Sequence, residues 1–129
     1  MRKGIAHLLG PLLILAFLFS CAGLQKQVVL GPNIHAIYIY ASNYKFQPNN
    51  IRLMSGGTVT LKIRNTAHKL HNFTLTDPDG RILQSVNLPP DSTVSTTAAF
   101  PRAGTYKFYC DRPFHRFLGM RGEVRAVGK

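Results

Sequence analysis

The alternation in Thr58-Val59-Thr60-Leu61-Lys62-Ile63-Arg64 constrains the fold more than any other feature of the sequence. On an extended chain successive side chains point to opposite faces, so Val59, Leu61 and Ile63 share one side while Thr60, Lys62 and Arg64 share the other. A helix would scatter those apolar groups around its circumference. The pattern predicts an antiparallel sheet with one dry and one wet face. Ile34 to Tyr40, Tyr44 to Leu53, His71 to Thr76, Arg81 to Asn87, Ser92 to Phe100, Thr105 to Cys110 and Gly122 to Val127 read as further strands. Pro48-Asn49-Asn50, Gly56-Gly57, Asp77-Pro78-Asp79-Gly80 and Pro101-Arg102-Ala103-Gly104 supply the turn chemistry between them. No helix-length periodic segment follows the N-terminal region, and there is no internal repeat. Seven or eight short strands imply an all-β sandwich, one domain over residues 34–129.

The first twenty residues stand apart. Arg2 and Lys3 precede an uncharged apolar run from Leu8 to Phe19, as in a secretory signal. Leu18-Phe19-Ser20-Cys21 resembles a bacterial lipobox, with residues 1–20 removed and Cys21 lipidated, and residues 21–33 then form a lipidated N-terminus and spacer. Ordinary cleavage after Ser20-Cys21-Ala22 and an uncleaved anchor over Leu8 to Leu24 are the alternatives. All three readings export the domain, as a membrane-anchored lipoprotein facing the periplasm or cell exterior in the first of them.

Cys110, His115 and Met120 are spaced five residues apart on one short stretch near the C-terminus. Cys110 shares a strand face with Tyr106 and Phe108, and the two aromatics mark that face as inward. His71 shares a face with Phe73 and Leu75 and also points inward. Soft sulfur ligands beside imidazole favour copper, and a Cys/His/His set with a long axial Met is a blue-copper arrangement. His71, Cys110, His115 and Met120 are therefore the candidate ligands of one type 1 copper ion. If Cys21 carries lipid or is removed, Cys110 is a lone thiol in an oxidising compartment, where a metal would protect it. A Cys21–Cys110 disulfide or an inert buried thiol is the alternative. Zinc sites use Cys, His and carboxylates and have no place for Met120. His68 precedes the strand of His71 and is expected to be exposed and uncoordinated; His35 has no partner in the sequence.

From about Ile34 to Val127 the chain resembles the cupredoxins, the small blue copper proteins of the plastocyanin, azurin and rusticyanin type. The matching residues are Phe46, Pro48 and Ile51, Gly57 before Thr58-Val59, Asn65, and His71-Asn72-Phe73. Gly104-Thr105-Tyr106-Lys107-Phe108-Tyr109-Cys110, Pro113, His115, Gly119-Met120 and Gly122 complete the pattern. The resemblance implies a Greek-key sandwich and one-electron transfer, with His71, Cys110 and His115 as equatorial ligands and Met120 axial. Relatives commonly carry Gly where this chain has Phe114. That side chain would either cover the edge of His115 or extend an apolar patch with Phe117 and Leu118.

Three functions compete. An electron-transfer protein tethered through Cys21 to the outer side of a bacterial membrane fits best, and a non-enzymatic module for copper storage, delivery or sensing is the alternative. An oxidase or reductase would need more histidines than His35 and His68 leave, and a dinuclear copper centre would need a second loop Cys. The chain carries 16 Lys+Arg against 5 Asp+Glu, a formal net charge of +11. Of these only Arg2 and Lys3 leave with the leader; dispersed solubilising charge and attraction to an anionic membrane surface are the alternatives to the expected acidic redox partner. Arg112, Arg116 and Arg121 alternate with Phe114, Phe117 and Leu118 around the ligand loop and would steer it. Nucleic acid is not expected, given export and the absence of any nucleic-acid motif.

Overall fold

The structure, a computed structural model, describes residues 27–31 and 35–128. The lipidation and signal assignments, Cys21 included, lie outside those residues. Among the described residues there are ten strands and no helix, so none is long and apolar enough to cross a membrane. The strands are β1 (Val28–Val29), β2 (Ala36–Ser42), β3 (Lys45–Gln47), β4 (Asn50–Met54) and β5 (Gly57–Asn65). They continue with β6 (His71–Thr76), β7 (Ile82–Leu88), β8 (Thr93–Phe100), β9 (Gly104–Tyr109) and β10 (Arg121–Val127). One sheet has the order β1-β4-β10-β9-β6-β7 and the other β3-β2-β5-β8. The all-β sandwich read from the sequence is thus the fold.

The strand count exceeds seven or eight for two reasons. The Pro48 turn splits Tyr44 to Leu53 into β3 and β4, which join different sheets. In addition, Val28 and Val29, within the segment read as a spacer, pair with Ile51 and Arg52 as a two-residue edge strand. Strand direction also differs from expectation. β5 pairs antiparallel with β8 but parallel with β2, and β10 pairs parallel with β4. Alternation reports a wet face and a dry one; it does not encode the direction of the neighbour. The parallel pairs arise because the chain crosses to the other sheet between them.

Val59, Leu61 and Ile63 are buried on β5, as their period requires. They meet Phe73, Leu75, Tyr106 and Phe108 from the opposite sheet in one core. Each such side chain contributes roughly 1.5–3 kcal/mol by leaving water. Under the ligand end, Phe46, Phe73 and Phe108 form a triangle of rings with centroids 5.2 to 5.6 Å apart. Edge-to-face and stacked contacts of this kind restrict the rings in rotation as well as position. They give the ligands directly above them a rigid floor.

Strand β6 lies between β9 and β7 and is buried along its whole length. Its outward polar side chains are satisfied locally. The Asn72 amide donates to Ser85 Oγ at 3.0 Å, the Thr74 hydroxyl to Asn72 Oδ1 at 2.7 Å, and the Thr76 hydroxyl to the Lys107 carbonyl at 3.3 Å. Satisfied buried polar groups tie the strand to its neighbours without a desolvation penalty.

Candidate metal centre

Four segments meet at one end of the sandwich. His71 opens β6, Cys110 follows β9, Met120 precedes β10, and the loop between the last two carries His115. Hydrogen bonds close that loop on itself: the Cys110 amide donates to the Met120 carbonyl at 3.0 Å, and the Met120 amide to the His115 carbonyl at 3.0 Å. Gly119, at φ 108°, takes the left-handed turn that brings Met120 back under the loop. Gly122 serves a different purpose, since its φ is ordinary. A Cβ there would lie 2.3 Å from Phe108 Cζ and 2.5 Å from the Asn49 carbonyl oxygen, so the requirement is for space.

The donor atoms of His71, Cys110 and His115 all lie within 4.8 Å of one another. His71 Nδ1 is 3.2 Å from His115 Nδ1, which is 3.4 Å from Cys110 Sγ. Met120 is fully buried beside them, as are His71 and Cys110. Two imidazole nitrogens and a thiol sulfur facing one point, with no carboxylate among them, fit copper. His68 lies apart from the cluster. Its side chain is 92% exposed and bonds Asp91 at 2.6 Å.

Protonation favours ligation by the histidines. Burial lowers the pKa of His71, aided by the nearby charges of His115 and Lys69. Burial likewise lowers that of His115, with Lys69 and Arg112 adding to it. Both rings are thus held neutral, with lone pairs available. Burial pushes the Cys110 thiol up, while the amides of Arg112 and Asn72 and the Arg112 charge pull the other way. A metal must therefore displace the thiol proton as it binds. The Asn72 amide, 3.3 Å from Cys110 Sγ, is placed to stabilise the resulting thiolate.

Two neighbours of the site carry no signal in the sequence. Asn43 Oδ1 lies 3.0 Å from His71 Nε2 and accepts its proton, leaving Nδ1 as the ligand atom. The Tyr44 ring packs against His115 with centroids 4.7 Å apart. Both belong to the β2–β3 turn, which only the folded sandwich brings over the histidines. Phe114, by contrast, points away. It is 76% exposed and, with Phe117 at 89% and Leu118 at 59%, forms an apolar crown around the loop. Its φ of 65° lies in the left-handed region that favours Gly, the residue the family resemblance leads one to expect there.

The three loop arginines do not ring the crown as expected. Arg112 turns toward β7, donating to Asn87 Oδ1 at 3.0 Å. The Arg116 guanidinium sits 4.4 Å over the Tyr109 ring, on the side of β9 and β10. Arg121 opens onto the same side.

A β-sandwich with a His/Cys/His cluster and a buried Met at one end defines a small copper-protein architecture. Comparison with known proteins agrees. A family model described as a cupredoxin-like domain matches residues 11–125, and the chain belongs to that family. Cytochrome c oxidase subunit 2 of Thermus thermophilus is 32% identical over 89 residues, covering 68% of this chain. The chain spans only 62% and 49% of the lengths of two such curated relatives. Among solved structures, reduced auracyanin from Roseiflexus castenholzii superposes with a TM-score of 0.62 at 21% identity, covering 71% of this chain and 96% of its own. Auracyanin A of Chloroflexus aurantiacus gives 0.61 at 22%, covering 71% and 98%. A multi-copper oxidase from Pediococcus acidilactici reaches 0.62 at 14% identity, but the match covers only 27% of it. The fold recurs in both settings. The dinuclear arrangement would need a second loop Cys, and residues 111–119 contain none.

Proposed function

We propose that the chain is a type 1 copper electron-transfer protein, tethered through lipidated Cys21 to the outer side of a bacterial membrane. The observation that carries the reading is the convergence of His71 Nδ1, Cys110 Sγ and His115 Nδ1 above a rigid aromatic floor. The blue copper protein auracyanin A, of similar fold, supports it. Copper held there supplies a one-electron couple. The protein fixes the ligand positions: Asn43 orients His71, Tyr44 braces His115, and the loop hydrogen bonds set Cys110 and Met120. A site held this firmly cannot relax far toward the geometry preferred by either oxidation state, so little rearrangement accompanies electron gain or loss. The burial of Cys110 and Met120 excludes water and suits retention of the metal better than its delivery.

The exposed crown of Phe114, Phe117 and Leu118 suits close approach of a partner to His115, and the basic balance suits an acidic redox protein. The copper-loaded protein is expected to show an intense visible band from thiolate-to-copper charge transfer, lost in Cys110→Ser and kept in His68→Ala. A band that survives Cys110→Ser refutes the site. For the tether, Cys21→Ser should release the protein from membranes. An unmodified N-terminus at Gly23 in the mass spectrum would instead establish plain secretion.

A further inference from the structure

The geometry points to a docking slot for carboxylates, on an acidic protein partner, in the groove between the ligand loop and the outer face of β9 and β10. The groove measures about 480 Å³ and is walled by Lys107, Arg116 and Arg121, with Tyr109 between them. Glu123 is the one carboxylate lining it, and Arg125 already bonds its Oε1 at 3.0 Å. None of the three cations makes an ion pair among the described residues. Packing of Arg116 on the Tyr109 ring holds its guanidinium in place and leaves its N–H edge open. A planar N–H fork of this kind matches a carboxylate in bidentate geometry.

Three like charges around one concavity repel each other, and none is paired with a carboxylate among the described residues, so their arrangement is complementary to an acidic surface. The position also suits it. Tyr109 precedes Cys110, Arg116 follows His115 and Arg121 follows Met120, so a partner seated in the groove lies beside three of the four ligands. It would seat against the β9–β10 flank, with the apolar crown of the same loop at the margin of the contact. The outer face of the other sheet carries a smaller groove of about 250 Å³ beside Lys62 and Arg64, but both donate hydrogen bonds within the fold, Lys62 to the Tyr38 hydroxyl at 3.4 Å. Lys62 Nζ sits 5.3 Å over the Tyr38 ring, and Arg64 donates to the Asp91 carbonyl at 2.6 Å.

This inference rests on the electron-transfer reading, and the experiment separates the two. A fluorescently labelled octaglutamate peptide is titrated with the full chain at about 0.1 M salt, where charges more than about 10 Å away are largely screened. Binding is read by anisotropy and repeated at higher salt. Lys107→Glu/Arg121→Glu should weaken binding by about tenfold or more. Lys62→Glu/Arg64→Glu makes the same charge change on the opposite sheet and should leave it within about threefold. Equal losses in the two double variants, or no binding by the unaltered chain, would overturn the slot. The visible band of each copper-loaded protein is recorded alongside: its absence from the unaltered chain overturns the copper reading, while the peptide titration still decides the groove.

Discussion

Asn65 ends β5 and clamps the crossing that delivers His71 to the site. It is fully buried, and its Nδ2 lies 2.8 Å from the Lys69 carbonyl oxygen, 2.9 Å from that of Leu88 and 3.0 Å from that of Pro89. Its Oδ1 accepts from the Ala67 amide at 2.9 Å. An amide has two N–H donors, so three acceptors share two protons, and the side chain makes about three full hydrogen bonds in all. At roughly 1–1.5 kcal/mol each, with buried partners left unsatisfied, Asn65→Ala should cost about 3–4 kcal/mol. Urea unfolding of the metal-free protein is the assay, because bound copper would add its own linkage. With a slope of about 1.5–2 kcal/mol per molar for a domain of this size, the midpoint should fall by about 2 M. Asn65→Asp provides the sharper test. It keeps the shape but turns two donors into acceptors facing carbonyl oxygens, and buries a charge. Asp should therefore be at least as destabilising as Ala. A cost below about 1 kcal/mol for Ala, or a milder effect for Asp, would refute the clamp.

Phe114→Gly should stabilise the metal-free protein by about 1 kcal/mol, because Phe pays the steric cost of φ 65° and buries little; thermal unfolding reads the shift. Met120→Leu should keep the visible colour and raise the reduction potential, measured by redox titration, since it removes the axial sulfur donor. Asp77 is desolvated by its turn, yet bonds from the Arg81 and Asp79 amides and the Arg81 side chain outweigh this and hold its carboxyl below the usual range. A depressed folded pKa contributes stability that is present above the unfolded value, about 3.9, and is lost as pH falls through the lower folded one. Asp77→Asn should thus lower stability at neutral pH and reduce its loss as the pH falls below about 4, as followed by urea midpoints down the acid range.

The inward faces of His71 and Cys110 were legible in the sequence because they follow from local stereochemistry. A strand repeats every two residues wherever it lies, so Phe73 and Leu75 mark the inner face for His71, and Tyr106 and Phe108 mark it for Cys110. The same period revealed the sandwich, and the short Cys110-to-Met120 spacing revealed the sulfur-rich loop. Tertiary structure alone decided the partners. Whether β5 lies beside β2 or another strand depends on how two sheets pack over long sequence separations, which no local pattern encodes. Asn43 and Tyr44 reach the histidines only because the β2–β3 turn closes over residues 27 or more positions away. The arginines' directions had the same origin: Arg112 turns to Asn87 and Arg116 to Tyr109, contacts that exist only once β7 and β9 are in place. The sequence held the list of candidate copper donors, and the fold decided which way the arginines around them point.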